Sequence, residues 1–273
     1  MPLAVLDPGH GVDTPGKRSP NGLLREYEFN GDVAARAQAI LTTAGVDAIL
    51  TRPATATAKD VSLADRVAIA NRRNASLFVS IHANAHGSGR EWTPARGYEV
   101  YIYTPGGKAE VLAQRLVKWA TELLLPFDPH FPMRGIKTAN FYVLRKTKMP
   151  AVLIEHGFMT NEADYALLRS NEFRQACAEH IARAVCEHLG VRYPTPKPAQ
   201  KAEAPKPVEV KPVADPGPFK DIPKNDWAAD AIAWCKEKGI IQGFDDGTFR
   251  PNQTVTRKEL AVILYRALKN EGK

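Results

Sequence analysis

The chain has 273 residues, of which 44% are hydrophobic and 25% charged, a composition that excludes a disordered chain and leaves room for one α/β domain and a smaller module. No apolar run approaches the ~20 residues of a membrane span, so we expect no membrane-spanning segment. The formal net charge of +7 favours acidic partners, and nucleic acid is not expected among them, because the chain shows neither a recognised nucleic-acid-binding fold nor interleaved basic and aromatic residues.

Short apolar runs alternate with amphipathic stretches over the first two thirds of the chain. In chain order the pattern predicts a strand at 3–6, a helix at 30–44, a strand at 47–51, a helix that begins after Ser62, strands at 77–82 and 98–103, a helix near 109–124, strands near 141–144 and 152–154, and a helix near 172–189. This alternation indicates an α/β fold with a mixed, mostly parallel sheet flanked by helices.

Polar side chains follow or end three of the predicted strands. His10 and His82 lie at the carboxyl ends of the first and third strands, and Glu155 ends an apolar run that needs no carboxylate for packing. In open α/β sheets, ligands gather at this edge, so residues far apart in sequence can meet there. With Glu26, these residues offer two imidazoles and two carboxylates. Such a set predicts a metal with three protein ligands and an open position for water, together with a carboxylate that relays the proton.

Four motifs carry a family resemblance, in the order DPGHG at 7–11, GLLRE at 22–26, SIHANA at 80–85 and MPAVLIEHGFMTN at 149–161. Together they resemble the signatures of the zinc-dependent N-acetylmuramoyl-L-alanine amidases, enzymes that cut peptidoglycan. The resemblance covers residues 1 to about 190. It implies that His10, Glu26 and His82 are the zinc ligands and that Glu155 is the catalytic carboxylate.

Alternatives remain open within these motifs. Glu28 competes for the second ligand position, and Glu26 is preferred because the family pattern places that ligand four residues before the Asn that begins the next helix, here Asn30. The chain departs from the family at Val12, where many relatives have glycine, and at His156, where smaller residues are common. His156 either assists an oxyanion or Glu155, or points away from the site on the opposite face of its strand.

The stretch 193–218 interrupts the alternation. It is dense in Pro, Lys, Ala and Glu and has almost no large apolar side chain, so it is predicted to be a linker without a core. The predicted organisation is therefore a zinc amidase domain at 1–192, a Pro-rich linker at 193–218 and a terminal module at 219–273.

The terminal module resembles one S-layer homology module, a small helical unit that binds secondary polymers attached to peptidoglycan. The sequence predicts a helix at 226–238, a tight turn in GFDDGTFRP, and a second helix capped by Thr256. Because a single module of this size buries little core, self-association through it is a further expectation.

Two residues of the module are predicted to bind the wall polymer, Trp227 and Arg257. The planar guanidinium of Arg257 suits an anionic saccharide, since it meets carboxylates through two parallel hydrogen bonds. The alternative is that Arg257 only pairs with Glu259 or Asp246.

The two resemblances together imply a zinc-dependent cell-wall hydrolase that cleaves the amide bond between N-acetylmuramic acid and L-alanine. No signal peptide is apparent, since the turn DPGHG follows the first short strand directly. We therefore expect a phage endolysin that stays in the host cytoplasm until lysis. A bacterial autolysin or sporulation lysin is the alternative. Two other classes also remain: a wall-binding protein with an inactive head, and another zinc amidohydrolase such as a stem-peptide carboxypeptidase.

Overall fold

The computed structural model describes residues 1–194, 217–224, 226, 228–251, 255 and 257–270. The chain separates into two compact units, Met1–Lys197 and Pro198–Lys273. Except for its ends, the predicted linker lies outside the described residues, and the predicted boundaries of the three segments stay a prediction. No helix in the described parts of the chain has both the length and the apolar character needed to cross a membrane.

The first unit is built on a six-stranded sheet, whose strands are β1 (Leu3–Pro8), β2 (Asp47–Leu50), β3 (Leu77–Asn84), β4 (Tyr98–Ile102), β5 (Met133–Thr138) and β6 (Ala151–Phe158). Their order across the sheet is β2-β1-β3-β6-β4-β5. The pairing of β4 with β6 is antiparallel, and the other pairs are parallel. The mixed, mostly parallel sheet predicted from the sequence is confirmed.

Within the described residues of this unit the helices are α1 (Glu26–Thr43), α2 (Leu63–Arg72), α3 (Gly107–Leu124), α4 (Tyr142–Lys146), α5 (Glu162–Arg169) and α6 (Asn171–Leu189). Because successive side chains of a strand point to opposite faces, the sheet buries apolar residues on both sides. On one face Leu6 and Ile154 pack with α1, α3 and α6. On the other face Phe78 and Leu153 pack with α2 and α4. The second face carries the polar residues discussed below.

The predicted strand near 141–144 is wrong, because this segment begins helix α4. The run Phe-Tyr-Val-Leu is aromatic and β-branched, and it is too short for periodicity to separate a strand from a helical turn. In the folded chain Val143 and Leu144 pack onto the sheet, and Arg145 N donates to the carbonyl of Phe141 at 3.0 Å. Tertiary packing therefore decides the conformation.

The sequence pattern missed β5 and α5. Edge strand β5 is half-exposed along most of its length and contains Gly135 between charged residues, so it presents no apolar run. Helix α5 spans about two turns, which is too short for a clear apolar stripe, and its start is marked by Asn161, whose side chain accepts from the backbone N–H groups of Ala163 and Asp164. The capping Asn was the available signal for this helix.

The second unit contains helices α7 (Ala229–Glu237) and α8 (Arg257–Asn270). Its small core includes Phe219, Ile222 and Ile232. The predicted first helix begins three residues later than expected, and the predicted tight turn is present, with Phe244 N donating to Thr248 O at 2.9 Å.

Candidate active site

The predicted metal ligands converge at one edge of the sheet. His10 lies two residues beyond β1, and His82 lies in the neighbouring parallel strand β3, so both imidazoles reach the same edge. Glu26 is the first residue of α1 and is only 3% exposed. Its Oε2 lies 3.3 Å from His10 Nε2, and its Oε1 lies 2.9 Å from His82 Nδ1. One potential ligand atom from each residue lies within 4.8 Å of the others.

Glu26 joins this cluster and Glu28 does not. Glu28 is exposed and accepts a hydrogen bond from Tyr27 Oη at 3.2 Å. The prediction that the helix begins at Asn30 is wrong: α1 begins at Glu26, and Asn30 lies one turn further on, where its Nδ2 donates to Gly9 O at 3.1 Å. The early start escaped prediction because the N-cap position holds Arg25, which makes no side-chain cap.

A glycine permits the close approach of the two histidine segments. A Cβ at Gly9 would lie 2.1 Å from Cε1 of His82, which is far inside van der Waals contact. His10 follows with φ of +60°, a left-handed conformation that is uncommon for a residue with a Cβ. The DPGHG turn therefore brings the His10 side chain back over the end of β3.

A buried hydrogen-bond network holds the far side of the His82 ring. His82 Nε2 lies 3.1 Å from Ser80 Oγ, which donates to Asp7 Oδ2 at 2.6 Å. The other Asp7 oxygen accepts from Thr51 Oγ1 and Arg66 Nη1, both at 2.5 Å. Nδ1 of His82 donates to Glu26 Oε1 at 2.9 Å, and in the tautomer in which Nε2 donates to Ser80 the Nδ1 lone pair would instead be available to a cation. Sequence analysis missed this support, although Asp7 and Ser80 stand inside the DPGHG and SIHANA motifs.

Glu155 lies beside the cluster without belonging to it. It stands opposite His82 in the pairing of β6 with β3, and its buried Oε2 has no hydrogen-bond partner among the described residues. Burial raises the pKa of Glu155 well above its usual value, and the nearby carboxylates of Glu26 and Glu99 raise it further, while Lys17 opposes them. This side chain is therefore suited to hold a proton at neutral pH.

Glu26 has the opposite ionisation behaviour. Burial by itself raises the pKa of this carboxyl, but hydrogen bonds with His10 and His82 outweigh burial and bring the pKa well below its usual value. The site thus contains one carboxylate that stays charged and one carboxyl that retains its proton. When two carboxyl groups in one site have well-separated pKa values, the group with the low pKa can serve as a charged ligand and the group with the high pKa can exchange protons.

A cleft of about 610 Å³ lies over these residues. Its floor includes His10, Glu26, His82 and Glu155. One wall comes from the segment that enters α2, including Asp60 and Leu63, and the other comes from Phe141 and Tyr142 at the start of α4. The cleft is open to solvent and large enough for a peptide or saccharide segment.

His156 points away from the cleft. It is fully buried on the opposite face of β6, where its Nε2 lies 3.0 Å from Nε2 of His180 on α6, and its Nδ1 lies 3.2 Å from the carbonyl oxygen of His82. Burial lowers the pKa of His156 to about 3, so the ring is neutral. The geometry agrees with the alternative in which His156 packs behind the strand.

The two predicted polymer-binding side chains cannot be located. Trp227 and the side chain of Arg257 lie outside the described residues, as does Thr256. Within the described part of this unit, Arg250 pairs with Asp246 at 2.8 Å, and its guanidinium lies 3.9 Å from the centroid of the Phe244 ring. The polymer-binding roles of Trp227 and Arg257 stay predictions.

Comparison with known proteins gives two family matches. The N-acetylmuramoyl-L-alanine amidase family matches residues 4–187, and the S-layer homology domain matches residues 218–261. The sporulation-specific N-acetylmuramoyl-L-alanine amidase of Bacillus subtilis is 37% identical over 187 residues, covering 68% of this chain and 67% of the relative. The endolysin of Bacillus phage SPP1 is 33% identical over 211 residues, covering 74% and 71%.

Solved structures show the same similarity for the first unit. The catalytic domain of CwlV, an N-acetylmuramoyl-L-alanine amidase from Bacillus (Paenibacillus) polymyxa, superposes with a TM-score of 0.61 at 31% identity, covering 70% of this chain and all of that one. The amidase AmiC2 of Nostoc punctiforme gives a TM-score of 0.60 at 38% identity, covering 69% of this chain and 97% of that one.

Proposed function

This chain belongs to the N-acetylmuramoyl-L-alanine amidase family, and from that premise we propose that it is a zinc enzyme whose metal is held by His10, Glu26 and His82. Its activity is that of a peptidoglycan amidase. The bond we assign to it is the amide between the lactyl group of N-acetylmuramic acid and L-alanine. The observation that carries the proposal is the convergence of two imidazoles and one carboxylate beside Glu155, whose buried Oε2 has no hydrogen-bond partner among the described residues.

The donor set suits zinc in an open, catalytic site. Two histidines and one glutamate are a common ligand set for catalytic zinc. The hydrogen bond between His82 and Ser80, which in turn donates to Asp7, is the kind of outer contact that orients a metal-binding imidazole. Zinc held there supplies a Lewis acid for the amide carbonyl and the attacking water.

Glu155 performs the proton transfers in this proposal. A cation held by the three proposed ligands would favour the ionised form of Glu155. That carboxylate would take a proton from the attacking water as the water oxygen bonds to the amide carbon, and would return the proton to the nitrogen of L-alanine as the C–N bond breaks. The free Oε2 and its place opposite His82 support this role.

Product analysis tests the bond assignment. We expect the full-length protein with purified muropeptides to release peptides that begin with L-alanine and glycans that end in a free lactyl carboxyl, as identified by mass spectrometry. Trimming at the carboxyl end of the peptide would instead indicate a carboxypeptidase. Binding to walls without any cleavage would indicate a wall-binding protein with an inactive head.

For the biological setting we propose a phage endolysin, held in the host cytoplasm until lysis. Similarity to the phage SPP1 endolysin supports this setting, and similarity to the sporulation-specific amidase supports the alternative of an autolysin or sporulation lysin equally well. An immunoblot that detects the protein during phage infection would favour the endolysin, and detection in uninfected sporulating cells would favour the alternative.

The second unit is proposed to retain the enzyme on the wall. Its match to the S-layer homology domain supports binding to a secondary cell-wall polymer, with Trp227 and Arg257 as proposed contacts. The division into a catalytic domain at 1–192, a linker at 193–218 and a wall-binding module at 219–273 belongs to the same proposal. Self-association through the module stays a prediction.

A further inference from the structure

A second buried carboxylate lies next to Glu155 on the same face of the sheet. Glu99 on β4 is 1% exposed and stands directly opposite Glu155 in the antiparallel pairing of β4 with β6. Directly opposed side chains of neighbouring strands lie on one face with Cβ atoms about 5 Å apart. His82, Glu155 and Glu99 therefore form a row across three adjacent strands.

Glu99 organises two cations from the edge strand β5. Its Oε2 accepts from Arg134 Nε at 2.6 Å and from Lys137 Nζ. Its Oε1 accepts from Asn84 Nδ2 at 2.9 Å and from Tyr101 Oη at 2.7 Å. Four donors thus fill both oxygens of one carboxylate, which fixes the positions of the two cationic side chains beside it.

Two cationic side chains share one carboxylate oxygen in this cluster. Arg134 and Lys137 both pair with Oε2 of Glu99. The guanidinium of Arg134 and the ammonium of Lys137 each carry more N–H donors than this contact with Glu99 uses, so both are suited to bind an anion from outside the protein as well.

The two cations remain partly exposed on the face of the sheet that also carries the cleft. Their side chains are 36% and 35% exposed, for Arg134 and Lys137 respectively. Lys137 Nζ lies 5.9 Å from the centroid of the Tyr101 ring, which contacts Phe141 edge-on at 5.2 Å between centroids. Phe141 lines the cleft, so this chain of contacts connects the cations with the cleft wall.

The distribution of charge in the substrate indicates which part of it would bind these cations. The sugars of the glycan are neutral, because their amines are acetylated and the lactyl carboxyl is already in the amide. The stem peptide carries free carboxylates. From β3 to β5 the sheet crosses three strand spacings, about 14 Å. An extended peptide covers that distance in about four residues.

We propose that Arg134 and Lys137, held in place by Glu99, form a subsite that binds a free carboxylate of the stem peptide and thereby contributes to substrate specificity. This inference rests on the proposed amidase function, since it assumes that the cut bond lies over Glu155. A subsite at this position would also orient the substrate, with its peptide extending toward β5.

Two soluble muropeptides test the subsite, one with free peptide carboxylates and one with the same carboxylates converted to carboxamides. For the wild-type protein we expect kcat/KM to be about tenfold higher on the free acid, chiefly because KM is lower. A tenfold difference is the effect expected of one partly exposed charge-assisted contact. Lys137→Met should bring the ratio of the two kcat/KM values close to one. Lys137→Arg, which keeps the charge, should retain most of the ratio.

Two further variants test whether the effect is specific to this pair of cations. Arg134→Met leaves Lys137 on Glu99 and should also lower the ratio. Lys118→Met, which removes a lysine paired with Glu187 at 3.3 Å between α3 and α6 on the other side of the sheet, should leave it unchanged.

Three results would overturn the subsite. The first is a wild-type ratio of one on the two substrates. The second is an equal loss on both substrates in Lys137→Met and Arg134→Met, which would assign these residues a structural role only. Failure of the wild-type protein to cleave either substrate would overturn the proposed function and the subsite with it, so the two failures are distinguishable.

Discussion

Glu26 and Glu155 are both buried at the same cleft, and their different partners give them different chemistry. Glu26 lies between two imidazoles that stabilise its charge, whereas Glu155 faces other carboxylates and has an oxygen with no partner among the described residues. Burial raises the pKa of both groups, and only Glu26 has contacts that reverse the effect. A ligand role therefore suits Glu26, and a proton-transfer role suits Glu155.

Glu155→Gln separates these roles at the level of one residue. The substitution keeps the shape of the side chain and removes its ability to accept and return a proton. We expect the variant to bind zinc with unchanged stoichiometry and to hydrolyse muropeptides roughly 100- to 10,000-fold more slowly, the range that general acid–base groups supply. Near-normal turnover in a zinc-loaded variant would assign the proton transfer to another group.

His10→Ala and His82→Ala test the metal site. Each substitution removes one of the three proposed ligands, so we expect loss of stoichiometric zinc in metal analysis and loss of wall lysis, with the fold retained in circular dichroism. His130→Ala, in the exposed loop before β5, is the matched control and should keep both zinc and activity. Full zinc content in both of the first two variants would contradict the assignment of the ligands.

Strand β6 directs side chains into the cleft from one face and into the hydrophobic core from the other. Its alternation directs Glu155 into the cleft and His156 into the packing between the sheet and α6. His156 and His180 meet there beside Phe29 and Tyr98. The strand that carries the proposed catalytic carboxyl thus packs on its other face against a buried pair of imidazoles.

This pair predicts a loss of stability in acid. Burial lowers the pKa of His156 to about 3 and that of His180 well below its usual value, whereas an unfolded histidine titrates near pH 6.5. Between about pH 6.5 and about pH 3 the unfolded chain therefore binds more protons, and the free energy of unfolding falls as the pH falls through that window.

Urea unfolding of the metal-free protein at about pH 7.5 and about pH 5 measures this effect. We expect the double variant His156→Leu, His180→Leu to lose less unfolding free energy over this interval than the wild type, because it has no buried imidazole to protonate. His130→Leu should show the wild-type difference. An unchanged pH dependence in the double variant would show that other groups control acid unfolding.

For the whole molecule, the two compact units are expected to divide catalysis from retention on the wall. Residues 1–192 contain the complete cleft and its supporting network, so this fragment should fold alone and cleave soluble muropeptides at about the full-length rate. Sedimentation with purified walls should show weaker retention of the fragment. A fragment that loses soluble-substrate turnover would contradict the independence of the first unit.

Arg257→Ala in the full-length protein tests the wall contact. We expect weaker sedimentation with purified walls and unchanged turnover of soluble substrate, because the proposed contact is a charge-assisted pair with a wall polymer. Lys269→Ala, at the other end of α8, is the matched control and should sediment like the wild type. Retention by the wild type that survives stripping of the secondary polymers would indicate peptidoglycan itself as the ligand.

The sequence alone was sufficient to predict those site residues whose place in the fold follows from the apolar strand next to them. His10 and His82 follow or end apolar strands, and Glu155 ends a third, so the convergence of these residues follows from the rule that parallel strands share a carboxyl edge. The α/β class was predictable for the same reason, since periodicity over single elements indicates strands and helices directly. The family resemblance added the prediction of zinc and a preference for Glu26 that the residues alone did not supply.

Tertiary structure decided what depends on residues distant in sequence. The choice of Glu26 over Glu28 follows from where α1 begins and packs, and no local cap marks that point. The alignment of Glu99 with Glu155 and with the cations of β5 depends on strand register across positions that are 35 to 56 residues apart, which no local pattern encodes. Local periodicity determines elements, whereas register and packing determine which side chains meet, because those contacts form only when the sheet assembles.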